Sequence, residues 1–474
     1  MNAKFLNFLK GFMHALSANV IRLLISIILT LFLPKVLGVE EYSYWQLYLF
    51  YVTYTAYSSL GFCEGTYLKY GGREYEKLDR RTMASQFWTL ALYEVGFSLV
   101  CGFLFTQFVQ DTSKRYILCL ALISSIFDIL RYLLQCVLQA TNRIKDFARV
   151  MTSERILFFL FLLTTILLGY RDYRCCIFSE ILARFISMIY AMFTCKETVF
   201  AKFPGKKQMY EESKELVGIG FKLLLATLAS QLVIGIVRFM IEQRWGTIVF
   251  GKVSLTLSLS NMVITCIGAV SIVLFPVLKN MDKNRLDSLY ETMRMVLTVP
   301  VLFVLLFYVP MKLILTAWLP QYEESFKYLA VLLPICVYET RSTALINTYF
   351  KAYRKENQIL FCNIVTVLLS LLLSFVTVYV CNSLDLAVVA IVVLMIFKSA
   401  FSEWIMKKYV KIHVLYDNIL EIVLTIIFIV SSLKLNDIYA LLVYLLAYVA
   451  YLVIRRKKIV EQFFKAKEIV VNRK

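Results

Sequence analysis

The chain has 474 residues, of which 60% are hydrophobic and only 18% charged, with a formal net charge of +19. A soluble chain of this length needs far more polar surface to cover its core, so the composition specifies an all-α polytopic membrane protein. The period-2 alternation of an outer-membrane barrel is absent, and no stretch resembles a phosphate-cradling loop that would bind ATP.

Apolar runs near the ~20 residues that span a bilayer predict fourteen helices. In chain order they fall at roughly 13–33, 42–62, 86–108, 116–139, 156–170, 175–195, 216–238, 248–277, 295–315, 327–349, 358–380, 384–405, 415–433 and 437–454. The first run, "HALSANVIRLLISIILTLFLPKVLG", is too long for a signal-peptide core and lacks a small-residue cleavage site, so a retained helix is expected. Pro276, Pro300 and Pro334 fall within or at the end of predicted spans, where they mark bends or hinges. The two histidines, His14 and His413, lie near helix ends, and the 11 cysteines show no CxxC or Cys/His ligand spacing. Cys175 and Cys176 are the one adjacent pair. No metal, no cofactor and no enzymatic chemistry is therefore expected.

The positive charge is unevenly placed. Counting each edge cation with its nearer connection, 35 Lys and Arg lie in the N-terminus, the even-numbered connections and the C-terminal tail, against 10 in the odd-numbered connections. The positive-inside rule then places both termini in the cytoplasm and requires an even number of spans. The basic balance is a topology signal, and no nucleic-acid partner follows from it.

An internal repeat is visible. "LGVEEYSYWQL" after the first helix and "WGTIVFGKVSL" after the seventh share a bulky–Gly pair, an aromatic–small pair and a closing Leu, offset by 208 residues. "LQATNRIKDF" after the fourth helix and "YFKAYRKENQ" after the tenth form a weaker echo. The repeats divide the chain into an N-terminal lobe at 1–200 (helices 1–6), a C-terminal lobe at 201–413 (helices 7–12), and 414–474 with two further helices and a basic tail. Parallel repeats of this kind hold a substrate site between two lobes.

Six cations remain inside the predicted spans: Arg22, Arg131, Arg184, Lys222, Arg238 and Arg341. Each costs at least ~2.5–3.5 kcal/mol at mid-membrane, so each is expected to face a cavity or a partner. Asp128 and Arg131 share a helix face at i,i+3, as Glu180 and Arg184 do at i,i+4. Both pairs read either as neutral clasps or as parts of a charged cavity. Arg238, with Glu242 one turn on, is expected to snorkel to the interface. Arg22 and Arg341 have no acid at helical spacing and are the leading candidates to bind an anionic substrate; Lys222 either snorkels or joins them. Glu94, Glu339 and Asp128 are the ion-coupling candidates, and Glu421 is a further membrane acid. Guanidinium groups suit phosphate because their planar fork binds two oxygens and stays charged. "YSYWQLYLFYVTYTAYSSLGF" in the second helix carries tyrosines along its whole length, which reads as a cavity wall for sugars.

With these residues in view the chain resembles the polysaccharide-exporter branch (Wzx-type O-antigen and capsule flippases) of the MOP superfamily. The resemblance is carried by "LPKVLGVEEYSYWQLYLF", "LGFCEGTYLKYGGREYEKL", "WGTIVFGKVSLTLSLSNMV" and "VLFPVL", and by the fourteen helices. It implies two six-helix lobes around a cationic cavity. It further implies alternating-access export of polyprenyl-diphosphate-linked oligosaccharide for cell-surface polysaccharide, driven by an ion or potential gradient. The implied setting is the plasma membrane, with lipid-linked oligosaccharide and the lipid bilayer as partners, and glycosyltransferases or a polymerase of the same pathway beside it. Family cavity cations hold no fixed motif position, so Arg22, Arg131, Arg184, Lys222 and Arg341 rest on the burial argument. The alternatives are a MATE-like exporter of small molecules or drugs, which favours unpaired membrane acids, and a non-transporting membrane scaffold, whose buried charges all pair.

Overall fold

A computed structural model describes residues 3–202, 206–279, 283–410 and 414–471, with side chains placed over 20–202, 209–265, 289–410 and 414–464. His413 lies outside the described residues, as do the side chains of His14 and Pro276. The described backbone is helical almost throughout: α1 (Ala3–Thr55), α2 (Phe62–Tyr70), α3 (Arg80–Phe108), α4 (Thr112–Ala140), α5 (Ile144–Leu167), α6 (Tyr173–Thr194), α7 (Lys196–Val199), α8 (Lys206–Lys279), α9 (Lys283–Val304), α10 (Tyr308–Trp318), α11 (Phe326–Leu332), α12 (Ile335–Thr340), α13 (Asn347–Ala352), α14 (Glu356–Phe375), α15 (Leu384–Met406), α16 (Leu415–Lys434) and α17 (Asp437–Val471).

Among the described residues eleven helical segments are long and apolar enough to cross a membrane, and the bent run Pro320–Ala352 makes a twelfth. Two of these segments are broken by a glycine, at Gly38 in α1 and Gly246 in α8. Taking each arm separately gives the fourteen helices read from the sequence. Large apolar side chains such as Leu92, Phe103, Phe108 and Leu446 point outward, as a lipid-facing surface requires. The chain is a multi-pass membrane protein.

The two breaks explain the sequence repeat. Gly38 has φ 78°, ψ −176° and Gly246 has φ 81°, ψ 177°. This conformation is open only to glycine, because a Cβ collides with its own backbone there. The repeated bulky–Gly pair is thus a repeated joint, placed identically in each half. A Cβ at either position would meet nothing within 4 Å, so any cost of substitution is backbone strain alone. Gly38→Ala and Gly246→Ala should each lose about 1–3 kcal/mol, read as a lower midpoint for heat-induced loss of the monodisperse peak in detergent. Equal midpoints for both variants and the parent would show that the joints tolerate ordinary residues.

Helix starts follow local chemistry. Asp79, Asp111 and Asp172 cap α3, α4 and α6 by accepting from first-turn amides, which supplies partners for donors that helices leave open. Pro334 sits between α11 and α12, where the run bends by 44°, and Pro300 lies inside α9. A π-helical turn, Arg341–Ile346, follows α12; such turns interrupt regular helix and re-aim side chains. The α5 helix begins twelve residues before the predicted start, because "IKDFARVMTSER" buries Ala148, Val150, Thr152 and Glu154 despite its charges.

The chain forms two compact units, Met1–Leu228 and Ala229–Lys474. In the first, α2, α3, α4 and α6 bury Phe87, Leu130, Leu134 and Met188 in one apolar core. In the second, α9, α13, α14 and α15 bury Tyr290, Leu345, Tyr349 and Met406. The tyrosine-rich stretch serves the first unit's packing more than a cavity wall: Trp45 stacks on Phe158, and Tyr48 is buried with its hydroxyl donating to Ser124 at 2.7 Å.

Candidate functional site

In the first unit, α4, α5 and α6 bring five ionised side chains into one buried cluster. Arg131 pairs with Asp128 on its own helix, as the i,i+3 spacing predicts, and also with Glu154 of α5 at 3.2 Å. Arg184 holds Glu180 one turn away at 2.8 Å and reaches Asp128 and Glu154 at 3.7 Å each. The two local pairs are therefore one network across three helices. Arg22 of α1 and Arg155 of α5 flank it, both half-buried, and the charges acting on Arg22 are those of Arg155, Glu154 and Arg131. With Arg22 and Arg155 included, four cations stand against three carboxylates. The balance is positive, and the excess sits on the two cations that are partly open.

The cluster is incompletely satisfied. Arg131 Nε, Arg184 Nε and Nη1, and one oxygen of Glu180 are buried without a hydrogen-bond partner. Such groups are costly in a low-dielectric interior, and they are the donors and acceptor an oxyanion or a water would engage.

The second unit holds a different arrangement. Arg294 of α9 donates to Glu403 at 2.9 Å, to Glu421 at 2.8 and 3.0 Å, and to Asn418 at 2.8 Å. Arg341 donates to Ser399 at 2.7 Å and also binds Glu421. Asp417 binds Arg455 and, at 3.0 Å, Lys458, which also reaches Glu291 at 3.3 Å. Four cations and four acids from five segments balance one another. The expectation that Arg341 lacks an acid is corrected: its partner, Glu421, lies 80 residues away on α16, beyond the reach of helical-spacing arguments.

The remaining candidates scatter. Lys222 is exposed on the first arm of α8. Glu339 pairs with Lys398 at 3.2 Å, and Lys398 also donates to Ser230 at 3.1 Å. Glu94 is buried in α3, where one oxygen accepts from Ser58 at 2.7 Å and the other has no partner. Arg238 lies on the first arm of α8. It donates to Ser254 at 2.9 Å and lies over the Phe250 ring, spanning the Gly246 break. Glu154, Arg155 and Arg294 fall in predicted connections between spans, and Lys398, although inside 384–405, counts with the connection that follows it, so spacing alone singles out none of them. The sequence does carry a signal for Glu154: Val150, Glu154, Phe158 and Leu162 recur at i,i+4 spacing along the buried face of α5.

Among the described residues no group of His, Cys, Asp and Glu is arranged to hold a metal.

No family model and no curated protein sequence matches the chain. Solved structures do. The lipid II flippase MurJ, in an inward closed conformation, aligns over 95% of this chain and 100% of its own, at a TM-score of 0.66 and 13% identity. An inward-facing multidrug resistance MATE family transporter of the MOP superfamily aligns over 82% of this chain and 98% of its own, at 0.62 and 12%. A MOP superfamily transporter from Pyrococcus furiosus, described as having a binding pocket of reverse polarity, aligns over 83% and 94%, at 0.54 and 12%. On these alignments, the chain has the fold of the MOP superfamily transporters.

Proposed function

We propose that the chain is a flippase that carries a polyprenyl-diphosphate-linked oligosaccharide outward across the plasma membrane by alternating access, with both termini cytoplasmic and no catalytic step. The observation that carries this reading is the positive excess of the first-unit cluster, with Arg22 and Arg155 half-open beside buried Arg131 and Arg184. A diphosphate is the counter-charge such a group accepts. Asp128 and Glu154 hold Arg131 and Arg184 in place and limit how tightly an anion binds, so that it can leave again. Arg341, engaged by Glu421, stays with the second unit's balanced network, and exposed Lys222 adds only to the surrounding potential.

Arg22 is the decisive residue. Each charge-assisted hydrogen bond it contributes is worth ~1.5–3 kcal/mol. Arg22→Ala should therefore lower export of lipid-linked sugar roughly ten- to a hundredfold, at ~1.4 kcal/mol per decade. Arg22→Lys should recover part of it, because a point charge lacks the planar fork. Export is measured in cells at matched membrane abundance, and full activity of Arg22→Ala would end the assignment.

A second reading, export of small organic cations, is favoured by one observation: the buried Glu94 carboxyl with an unpartnered oxygen. It predicts that Glu94→Gln abolishes efflux of a cationic dye while Arg22→Ala leaves that efflux unchanged.

A further inference from the structure

A cavity of about 660 Å³ opens along one face of α5 in the first unit, walled by α6 and by Ile21 of α1. This lies within the ~300–1,000 Å³ range of ligand pockets. Its α5 wall is a stripe at helical spacing, running from Lys145 through Arg149 and Thr152 to Ile156. Eleven residue-to-residue steps at 1.5 Å each give it a length of about 16 Å.

The two ends of the stripe differ in kind. Lys145 and Arg149 are exposed at one end. Their nearest acid, Asp146, is held by Arg143 at 2.6 Å and lies 3.7 Å from Arg149, so it neutralises this end only in part. At the other end Ile156, Ile186 and Ile21 leave apolar surface, with Ile156 40% and Ile21 42% exposed.

The floor contributes hydroxyls, but they are spent. Thr152 donates to the Ala148 carbonyl at 2.7 Å, and Ser153 is bonded to Ser187 at 2.8 Å. With their protons committed, Thr152 and Ser153 keep only acceptor lone pairs, so apart from the Tyr190 hydroxyl the groove offers a sugar few donors, and its apolar surface suits hydrocarbon. Cations at one end and a satisfied apolar trough behind them, on a membrane-embedded helix, describe a lipid bearing an anionic head.

We propose that this groove binds the phosphate end of a membrane lipid, with the phosphate on Lys145 and Arg149 and the first part of its chain along Ile156 and Ile186. Resting on the function proposed above, the groove is the place where the lipid-linked substrate is first held before its diphosphate reaches the Arg22 cluster; Ile21, in the groove wall, is the residue adjoining Arg22.

The test uses full-length protein in phosphatidylcholine nanodiscs with a photoactivatable polyprenyl phosphate, and mass spectrometry to locate the label. Labelling should concentrate on α5 and α6 and be displaced by unlabelled polyprenyl phosphate. The double variant Lys145→Glu/Arg149→Glu should reduce it at least tenfold. Ile156→Trp, which fills the apolar end and leaves the charges, should also reduce it. Equal labelling by a photoactivatable phosphatidylcholine, unchanged labelling in the charge variant, or equally effective displacement by inorganic phosphate would each overturn the lipid-phosphate site. Export of lipid-linked sugar by the unmodified protein is measured separately. Labelling that obeys the predictions in a protein without export would leave the groove standing and remove the flippase reading.

Discussion

Glu421→Ala should remove most of the folded protein from the membrane. Glu421 is buried on α16 and receives two hydrogen bonds from Arg294, at 2.8 and 3.0 Å, and one from Arg341. Deleting it leaves two guanidinium groups in a low-dielectric interior with Glu403 as their remaining shared carboxylate and Asp417 4.0 Å from Arg294. Removing one partner from a buried ion pair costs about 3–5 kcal/mol, because the charge left behind has neither water nor counter-ion. Glu421→Gln should lose less, since one oxygen still accepts while the amide opposes a donor. Arg341→Ala should fall between them, because Glu421 keeps both bonds from Arg294. The order is read from membrane abundance at equal transcript level and from the midpoint of heat-induced aggregation in detergent. If Glu421→Ala is abundant and heat-stable but transports nothing, the network belongs to the transport site and not to the frame.

Gly220→Ala should separate α2 from the first arm of α8. A Cβ at Gly220 would lie against the Gly61 carbonyl oxygen and 2.9 Å from its carbon, and one at Gly65 would meet the Leu216 carbonyl. The obstacles are backbone atoms, which cannot rotate aside as side chains do. Gly61 itself sits at φ 88° and accepts from the Gly65 amide at 2.8 Å, so the local backbone has no slack. Overpacking of this kind costs about 1–3 kcal/mol or forces the segments apart. One turn beyond, Lys69 reaches Glu212 at 2.6 Å and Glu215 at 2.8 Å. Burial alone would lower the Lys69 pKa, but these hydrogen bonds outweigh it and hold the ammonium above its ordinary value. A zero-length carbodiimide cross-link between Lys69 and Glu212 or Glu215 reports the contact directly. Its yield should drop several-fold in Gly220→Ala and in Gly65→Ala. Gly218→Ala, where a Cβ meets nothing within 4 Å, should leave it unchanged. An undiminished yield in Gly220→Ala would mean that the two segments adjust without parting.

Much of this architecture is legible in the sequence, for identifiable reasons. Span length is set by bilayer thickness, so apolar runs expose the helices without any tertiary knowledge. The bulky–Gly repeat announced two equivalent joints because only glycine takes their backbone conformation. Asp128–Arg131 and Glu180–Arg184 were readable because helical spacing fixes which side chains share a face. What spacing cannot show is contact between helices far apart in sequence. Arg341 looked unpaired because Glu421 reaches it from α16, and the two local pairs looked independent because Glu154 joins them from α5. Boundaries hid the rest. Glu154, Arg155 and Arg294 fall just outside predicted spans and Lys398 inside one but counted with the connection after it, yet Arg294 and Lys398 are 1% and 3% exposed. A charged residue within a few positions of an apolar run is as readily a buried partner as a loop residue.

The paired joints at Gly38 and Gly246 also bear on how the chain can vary over generations. Every single-base change that replaces a glycine by another amino acid introduces a Cβ, and neither joint accepts a Cβ without strain. Neither position therefore has a harmless neighbour in codon space. Flanking residues are free to drift while these two codons are held, and two halves that have lost nearly all other identity keep the same glycine at the same fold position. A search among distant relatives is best anchored on that pair and its spacing, with the intervening helices left unconstrained.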